Sequence, residues 1–128
     1  MPQGASNTLI NSLLDFMRGN LNLWLALSKT AINDDGTGAT ECAQSDYARQ
    51  SIAAKFGAAA NGAMTTTSDI TFVNAAASSD GNYGFFGIYS AVTGGNLLIS
   101  GSFNQPLAWA SGQPVKILTG GLIIEELA

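Results

Sequence analysis

The side chains able to do chemistry are few, and most sit in one stretch. Asp34, Asp35 and Glu41 share the segment NDDGTGATECAQSD (33–46), which closes on Asp46. Two carboxylates held at the right separation act as acid and base in glycoside hydrolysis, and carboxylates with loop carbonyls suit calcium. Neither pattern is completed here. Adjacent loop aspartates more commonly cap and turn the chain, and DDGTGATE lacks the alternating ligand spacing of an EF-hand loop. Cys42 lies in the same segment, but a nucleophilic thiol needs a cationic neighbour or a base, and its neighbour is Glu41. The chain contains no histidine, the commonest general base and metal ligand. No Ser-His-Asp, Cys-His or histidine-zinc site can therefore be built within it. The expectation is a protein that is not an enzyme, with no catalytic residues, no metal and no cofactor.

Glycines and aromatics invite two further readings. The GTG and TGG stretches lack the GxxxxGK pattern of a phosphate loop. Gly94 and Gly95 instead separate two strand-like runs in YGFFGIYSAVTGGNLLISGSF (83–103), where a hairpin turn demands positive φ. Trp24, Tyr83, Phe85, Phe86, Tyr89, Phe103 and Trp109 could offer a stacking surface for sugars or bases; in a strand-rich chain of this size they are expected in the core. Trp109, between alanines and close to Pro106 and Pro114, is the best candidate for an exposed or interfacial aromatic.

The elements that must position these residues follow from periodicity. Leu9, Ile10, Leu13, Leu14 and Met17 recur at helical spacing over 7–18, with Ser6 or Asn7 as N-cap and Gly19 as stop signal. A helix of about three turns is marginal alone, so this stripe must be buried against something. In LNLWLALS (21–28) the period becomes two, as in a half-buried strand. The 33–46 segment reads as a surface loop. YARQSIAAKFGAAA (47–60) is ambiguous: its alanines and the nearby Asp46 favour a helix on propensity, whereas its polar–apolar alternation allows a strand. SDITFVNA is a short strand, AASSDGNYG a loop with an Asp80-Gly81 turn, and Ser111-Gly112-Gln113-Pro114 another turn. Gly120-Gly121 precedes a last strand, LIIEEL, and Pro106 and Pro114 belong at strand starts or edges. Short strands at this spacing predict an antiparallel sandwich or barrel.

Bulk composition narrows the partners. The 128 residues suit one domain. Only 11% are charged, so the surface repels neighbours weakly and favours packing in an assembly. With a net charge of −4 and five scattered cations, neither nucleic acid nor an anionic membrane surface is expected as a partner. A single cysteine excludes a disulfide framework. MPQGASNTLINSLLDFMRG lacks the basic start and apolar core of a signal peptide, and no apolar run reaches the roughly 18 residues of a span. A soluble protein outside the general export route is expected.

The order of LNLWLALSKTAINDDGTGATE, DYARQSI, DITFVNA, GFFGIYSAVTGGNLLISGSF and GQPVKILTGGLIIEEL, covering 21–127, resembles a family of small tailed-phage virion structural proteins often catalogued as tail-fibre-like. The strongest matches are Tyr47-Ala48-Arg49-Gln50 after the acidic loop, the hairpin, and the Gly120-Gly121-Leu122 ending. Where the family has a Trp-Gly step before the hairpin, this chain reads Asp80-Gly81-Asn82-Tyr83-Gly84, with Tyr83 as the aromatic available to replace it. Trp24 stands where a smaller or β-branched residue is common. The resemblance implies an antiparallel β-sandwich and turns YARQSIAAKF from helix to strand; with the helix read from periodicity, the expectation is a mainly β chain, a jelly-roll-like β-sandwich over 20–128 with one N-terminal α-helix or arm over 1–19. It also implies a virion component assembled in the host bacterial cytoplasm. The shaft repeats of a long receptor-binding fibre are absent. The first expectation is therefore a capsid decoration (cement) protein, a homotrimer that binds the major capsid protein and stabilises the shell by mass action. A tail or tail-fibre component with a host-adhesion role is the alternative. The expected oligomer or shell contacts are Leu9, Ile10, Leu13, Leu14, Met17 and Trp109, although the helix stripe serves equally to cover the protein's own sandwich.

Overall fold

The computed structural model describes residues 6–44, 47–73 and 81–125. Asp46 and Asp80, where a helix start and a turn are expected, lie outside them, as does the last strand beyond Glu125. Helix α1 (Asn7–Asn20) opens where its cap predicts: the Ser6 hydroxyl accepts the Leu9 N–H at 3.3 Å. It does not stop at Gly19. The Asn20 side-chain amide donates to the Phe16 carbonyl at 3.1 Å and the Leu21 N–H to the Met17 carbonyl at 3.0 Å. These bonds satisfy the last turn's carbonyls without a left-handed glycine.

The helix is fastened to the rest of the chain by apolar and polar contacts. Leu14 is buried in the core, with Ile10 and Met17 packed against it. On the flank, Asn11 Oδ1 accepts the Gly62 N–H and Asp15 Oδ1 accepts the Ala59 N–H, each at 2.9 Å, while Arg18 Nε donates to Asp15 at 3.1 Å. The Ala59 hydrogen bond, aided by Arg18 and partly opposed by desolvation, holds the Asp15 carboxyl below its ordinary range. A depressed folded pKa means that this tether is present above the unfolded value of about 3.9 and is lost as pH falls through the folded one. The Ala59 amide proton shift is therefore expected to titrate with a midpoint below about pH 3.9 and to flatten in Asp15→Asn. A midpoint at or above that value would show that the tether is not formed.

The strands are β1 (Trp24–Ser28), β2 (Gln50–Ser51), β3 (Ala63–Thr65), β4 (Ile70–Phe72), β5 (Gly81–Tyr89), β6 (Leu97–Trp109), β7 (Val115–Ile117) and β8 (Ile123–Glu125). One four-stranded sheet has the order β2-β1-β5-β6, and the pairs β3-β8 and β4-β7 form two smaller sheets. Every pairing is antiparallel. The mainly β, antiparallel architecture with one N-terminal helix is as expected; the strand order described does not spell out a jelly roll. Leu23, Leu25 and Leu27 from β1 and its approach, Phe86 and Ile88 from β5, Ile70 and Phe72 from β4, Met64 from β3, Ile117 from β7 and Ile124 from β8 share one core.

Three local expectations change. The β1 strand is not half-buried, because Ala26 and Ser28 on its second face are covered as well. The 29–42 chain folds back over that face: Ser28 Oγ accepts the Thr40 N–H at 2.9 Å and Lys29 N–H reaches the Thr40 carbonyl at 2.9 Å. In YARQSIAAKF only Gln50–Ser51 is strand, and Ala53–Lys55 forms a single 3-10 turn. Ile52 ends the pairing by donating to the Leu23 carbonyl at 2.9 Å and burying its side chain fully, so β-pairing and alanine propensity each take part of the segment. The hairpin exists as β5–β6, but its loop spans residues 90–96, not two residues. It is closed by Ser90 N–H to the Asn96 carbonyl at 3.0 Å, with Gly94 and Gly95 both at positive φ. A Cβ at Gly95 would also lie 2.9 Å from the Ala91 backbone nitrogen.

Candidate functional site

The expected contact residues do not form one surface. At about 100° per residue, the apolar side chains of α1 from Phe16 through Leu9, Leu13, Met17 and Ile10 to Leu14 span an arc of roughly 160°. The chain's own core uses the Ile10, Leu14 and Met17 side of that arc. Leu9, Leu13 and Phe16 remain 51%, 54% and 58% exposed. Phe16 was not among the sequence candidates, although with Leu9 and Leu13 it completes an i, i+4, i+7 spacing. Trp109 corrects the sequence reading: it is 0% exposed, packed edge-on against Tyr47 at 6.0 Å and Tyr83 at 6.5 Å.

The loop carboxylates separate into structural roles. Asp35 Oδ1 accepts the Thr37 N–H at 3.0 Å and the Thr37 hydroxyl at 2.6 Å, hydrogen bonds that lower its pKa and close the turn. Glu41 points elsewhere. Its Oε2 accepts Arg49 Nε at 2.8 Å and the Tyr47 hydroxyl at 2.6 Å, and its Oε1 accepts Arg49 Nη2 at 3.0 Å. The Tyr47 oxygen in turn accepts the Leu27 N–H at 3.1 Å. Arg49 Nη1 donates to the Ala91 and Gly94 carbonyls at 3.0 and 2.8 Å, and its guanidinium lies 4.0 Å from the Tyr89 ring centroid. Burial first, then the hydrogen bond to Glu41 and its charge, pushes the Tyr47 phenol well above its ordinary range. The Glu41 hydrogen bonds raise Arg49 further, so the guanidinium is permanently charged. This cluster borders a hollow of about 290 Å³ lined also by the buried Cys42 and the exposed Thr93. Its charges face each other, which suits a clamp on the hairpin tip better than a reaction. Among the described residues no three metal-ligating side chains converge.

A larger cleft, about 550 Å³, lies beside β6. Between the Tyr83↔Leu107 and Phe85↔Ser102 pairs the register slips, so residues 103–106 bulge opposite Gly84 alone. The bulge forms one wall with Ser102, Phe103, Asn104 and Gln105; Lys116 to Leu118 and Gly121 to Ile123 form the other. Thr66 secures that second wall: its hydroxyl accepts the Gly120 N–H at 3.0 Å, and its backbone N–H donates to the Leu122 carbonyl at 3.1 Å. Nothing in the local sequence announced this cleft except Pro106, which fits an edge strand at a bulge.

Comparison with known proteins yields one family. A family model described as Podophage GP4 fiber I protein gp80 matches residues 4–125. A search of curated proteins found no match.

Proposed function

From the premise that the chain belongs to the Podophage GP4 fiber I protein gp80 family and is a fibre-like bacteriophage virion structural protein, we propose that it is a non-enzymatic subunit of the tail or tail fibre that associates with copies of itself and serves host adhesion. The family description favours this placement over capsid decoration, which reverses the order expected from the sequence. The observation that carries self-association is the Leu9, Leu13 and Phe16 face of α1, over half exposed on a helix whose other side is already anchored. A second copy is the occupant that fits. The face carries no charge to match to a different partner, and a symmetric trimer would bring three such stripes together. Completing the burial of each side chain contributes about 1 kcal/mol. In this reading the partners are other copies and neighbouring virion proteins, and neither nucleic acid nor a membrane is one.

The test has two parts. Antibody labelling of virions should mark the tail; labelling of the head in many copies would establish decoration on the major capsid protein instead. In light scattering, the chain is expected to be a homotrimer, and Leu13→Glu with Phe16→Glu should release folded monomers. An unchanged oligomer would remove the helix from the interface.

A further inference from the structure

We propose that the cleft between the β6 bulge and the 116–123 segment is a binding site for an acidic saccharide, one bearing carboxylate or phosphate on its sugar rings. The inference rests on the host-adhesion part of the fibre reading for its biological sense, and on the cleft's own chemistry for its argument. A bulge re-aims side chains and ends the regular ladder. Here it presents Phe103, Asn104 and Gln105 together on one wall of the 550 Å³ cleft. Phe103 is half-buried and braced by Phe86, ring centroids 5.2 Å apart. Its ring is therefore held in place before a ligand arrives, which lowers the ordering cost of binding. An aromatic face matches the C–H face of a pyranose ring by burial of apolar surface.

The polar groups complement sugar hydroxyls. Asn104 and Gln105 each carry donors and an acceptor on one exposed amide, and neither side chain is engaged within the described residues. Ser102 adds a hydroxyl that can donate or accept. Charge then selects among sugars. The chain has nine acidic and five basic residues, yet among the described residues no carboxylate lines this cleft and Lys116 does. Lys116 makes no ion pair among the described residues. A cation with no counter-charge among the described lining residues, in a chain of net negative charge, favours an anionic ligand.

The same features argue against other occupants. An extended peptide would add to the free edge of β6, but there the bulge breaks the ladder and Pro106 offers no N–H. Single-stranded nucleic acid would need several cations along a groove, and among the described residues lining the cleft Lys116 is the one cation.

The experiment is an amide NMR titration of the purified full chain with three probes: an unsulfated glucuronate–N-acetylglucosamine tetrasaccharide, mannose 6-phosphate, and neutral chitotetraose. Saturable shifts are expected at Asn104, Gln105 and Lys116 with at least one acidic probe, and weaker ones with chitotetraose. Which acidic probe binds more tightly identifies the source of the charge. Lys116→Gln should weaken acidic binding roughly threefold to tenfold and leave neutral binding unchanged. Phe103→Ala should weaken all binding about tenfold. Because Phe103 also packs on Phe86, Asn104→Ala serves as an exposed variant that keeps the fold and should still lose affinity. Three results overturn the proposal: no saturable shift with either acidic probe, saturable shifts outside the cleft, or concentration-dependent broadening of the same amides without ligand, which would mean a second copy fills the cleft. Binding with head labelling would sink the fibre reading alone, and tail labelling without binding would sink this inference alone.

Discussion

Arg49→Met is expected to lower the unfolding free energy by about 2–4 kcal/mol and to loosen the 90–96 loop well before global unfolding. The magnitude follows from what the guanidinium holds. Its side chain is 9% exposed and that of Glu41 30%, so the pair is sheltered more than an ordinary surface ion pair, which contributes at most about 1 kcal/mol. Methionine fills the volume but leaves Glu41 with the Tyr47 hydroxyl alone. It also strips the Ala91 and Gly94 carbonyls of their donor. Those two carbonyls come from a loop that Gly94 and Gly95 leave conformationally free, so the arginine is what selects one loop conformation. Arg49→Lys should recover less than half of the loss, because an ammonium cannot direct separate donors to a carboxylate and two carbonyls while lying over Tyr89. A double-mutant cycle with Glu41→Gln by urea denaturation should give a coupling of 1 kcal/mol or more, on the order found for interacting neighbours. A coupling near zero would reduce the cluster to a crystal-like arrangement of exposed charges. The pH response has a definite sign: Tyr47 has a raised folded pKa. Its contribution is fully present below the unfolded value of about 10 and is lost as pH rises from there towards the folded one.

How far such features can be read from a sequence depends on how far apart their parts lie. Helix α1 was legible because Ser6, Leu9, Ile10, Leu14 and Met17 encode it within four turns. The β5–β6 hairpin was legible because its two runs flank one glycine pair. Its loop length was not, since the closing agents include Arg49, more than forty residues upstream of the carbonyls it binds. The split of residues 50–55 into strand and 3-10 turn depends on the Leu23 carbonyl that stops the pairing at Ile52, again a non-local partner. The cleft is the extreme case. Its two walls come from segments on either side of Trp109, and its shape depends on a register slip that no periodicity expresses. Which part of the α1 stripe faces inward was equally invisible, because an arc of about 160° satisfies an internal core and an external partner at once.

Trp109→Ala is expected to cost about 3–5 kcal/mol, a large share of the roughly 5–15 kcal/mol that holds a domain of this kind together. The indole is the largest fully buried side chain and lies between Tyr47 and Tyr83. Tyr47 is itself bonded to Glu41 and stacked 6.0 Å from Phe72. A cavity here therefore removes contacts from β4, β5 and the Arg49 clamp together. Trp109→Phe should behave differently. It loses part of the ring volume, but it also removes an indole Nε1–H that is buried with no hydrogen-bond partner among the described residues, a burden of about 1–3 kcal/mol. The two effects oppose, and a net loss below about 1.5 kcal/mol is expected. Both variants belong in the monomeric Leu13→Glu, Phe16→Glu background, where stability no longer depends on association. If Trp109 were an interfacial aromatic, as the sequence alone suggested, Trp109→Ala would change the oligomer in the native background and leave that monomer's denaturation midpoint untouched. Burial within the subunit predicts the reverse: a large shift in the monomer's midpoint, the same at every protein concentration.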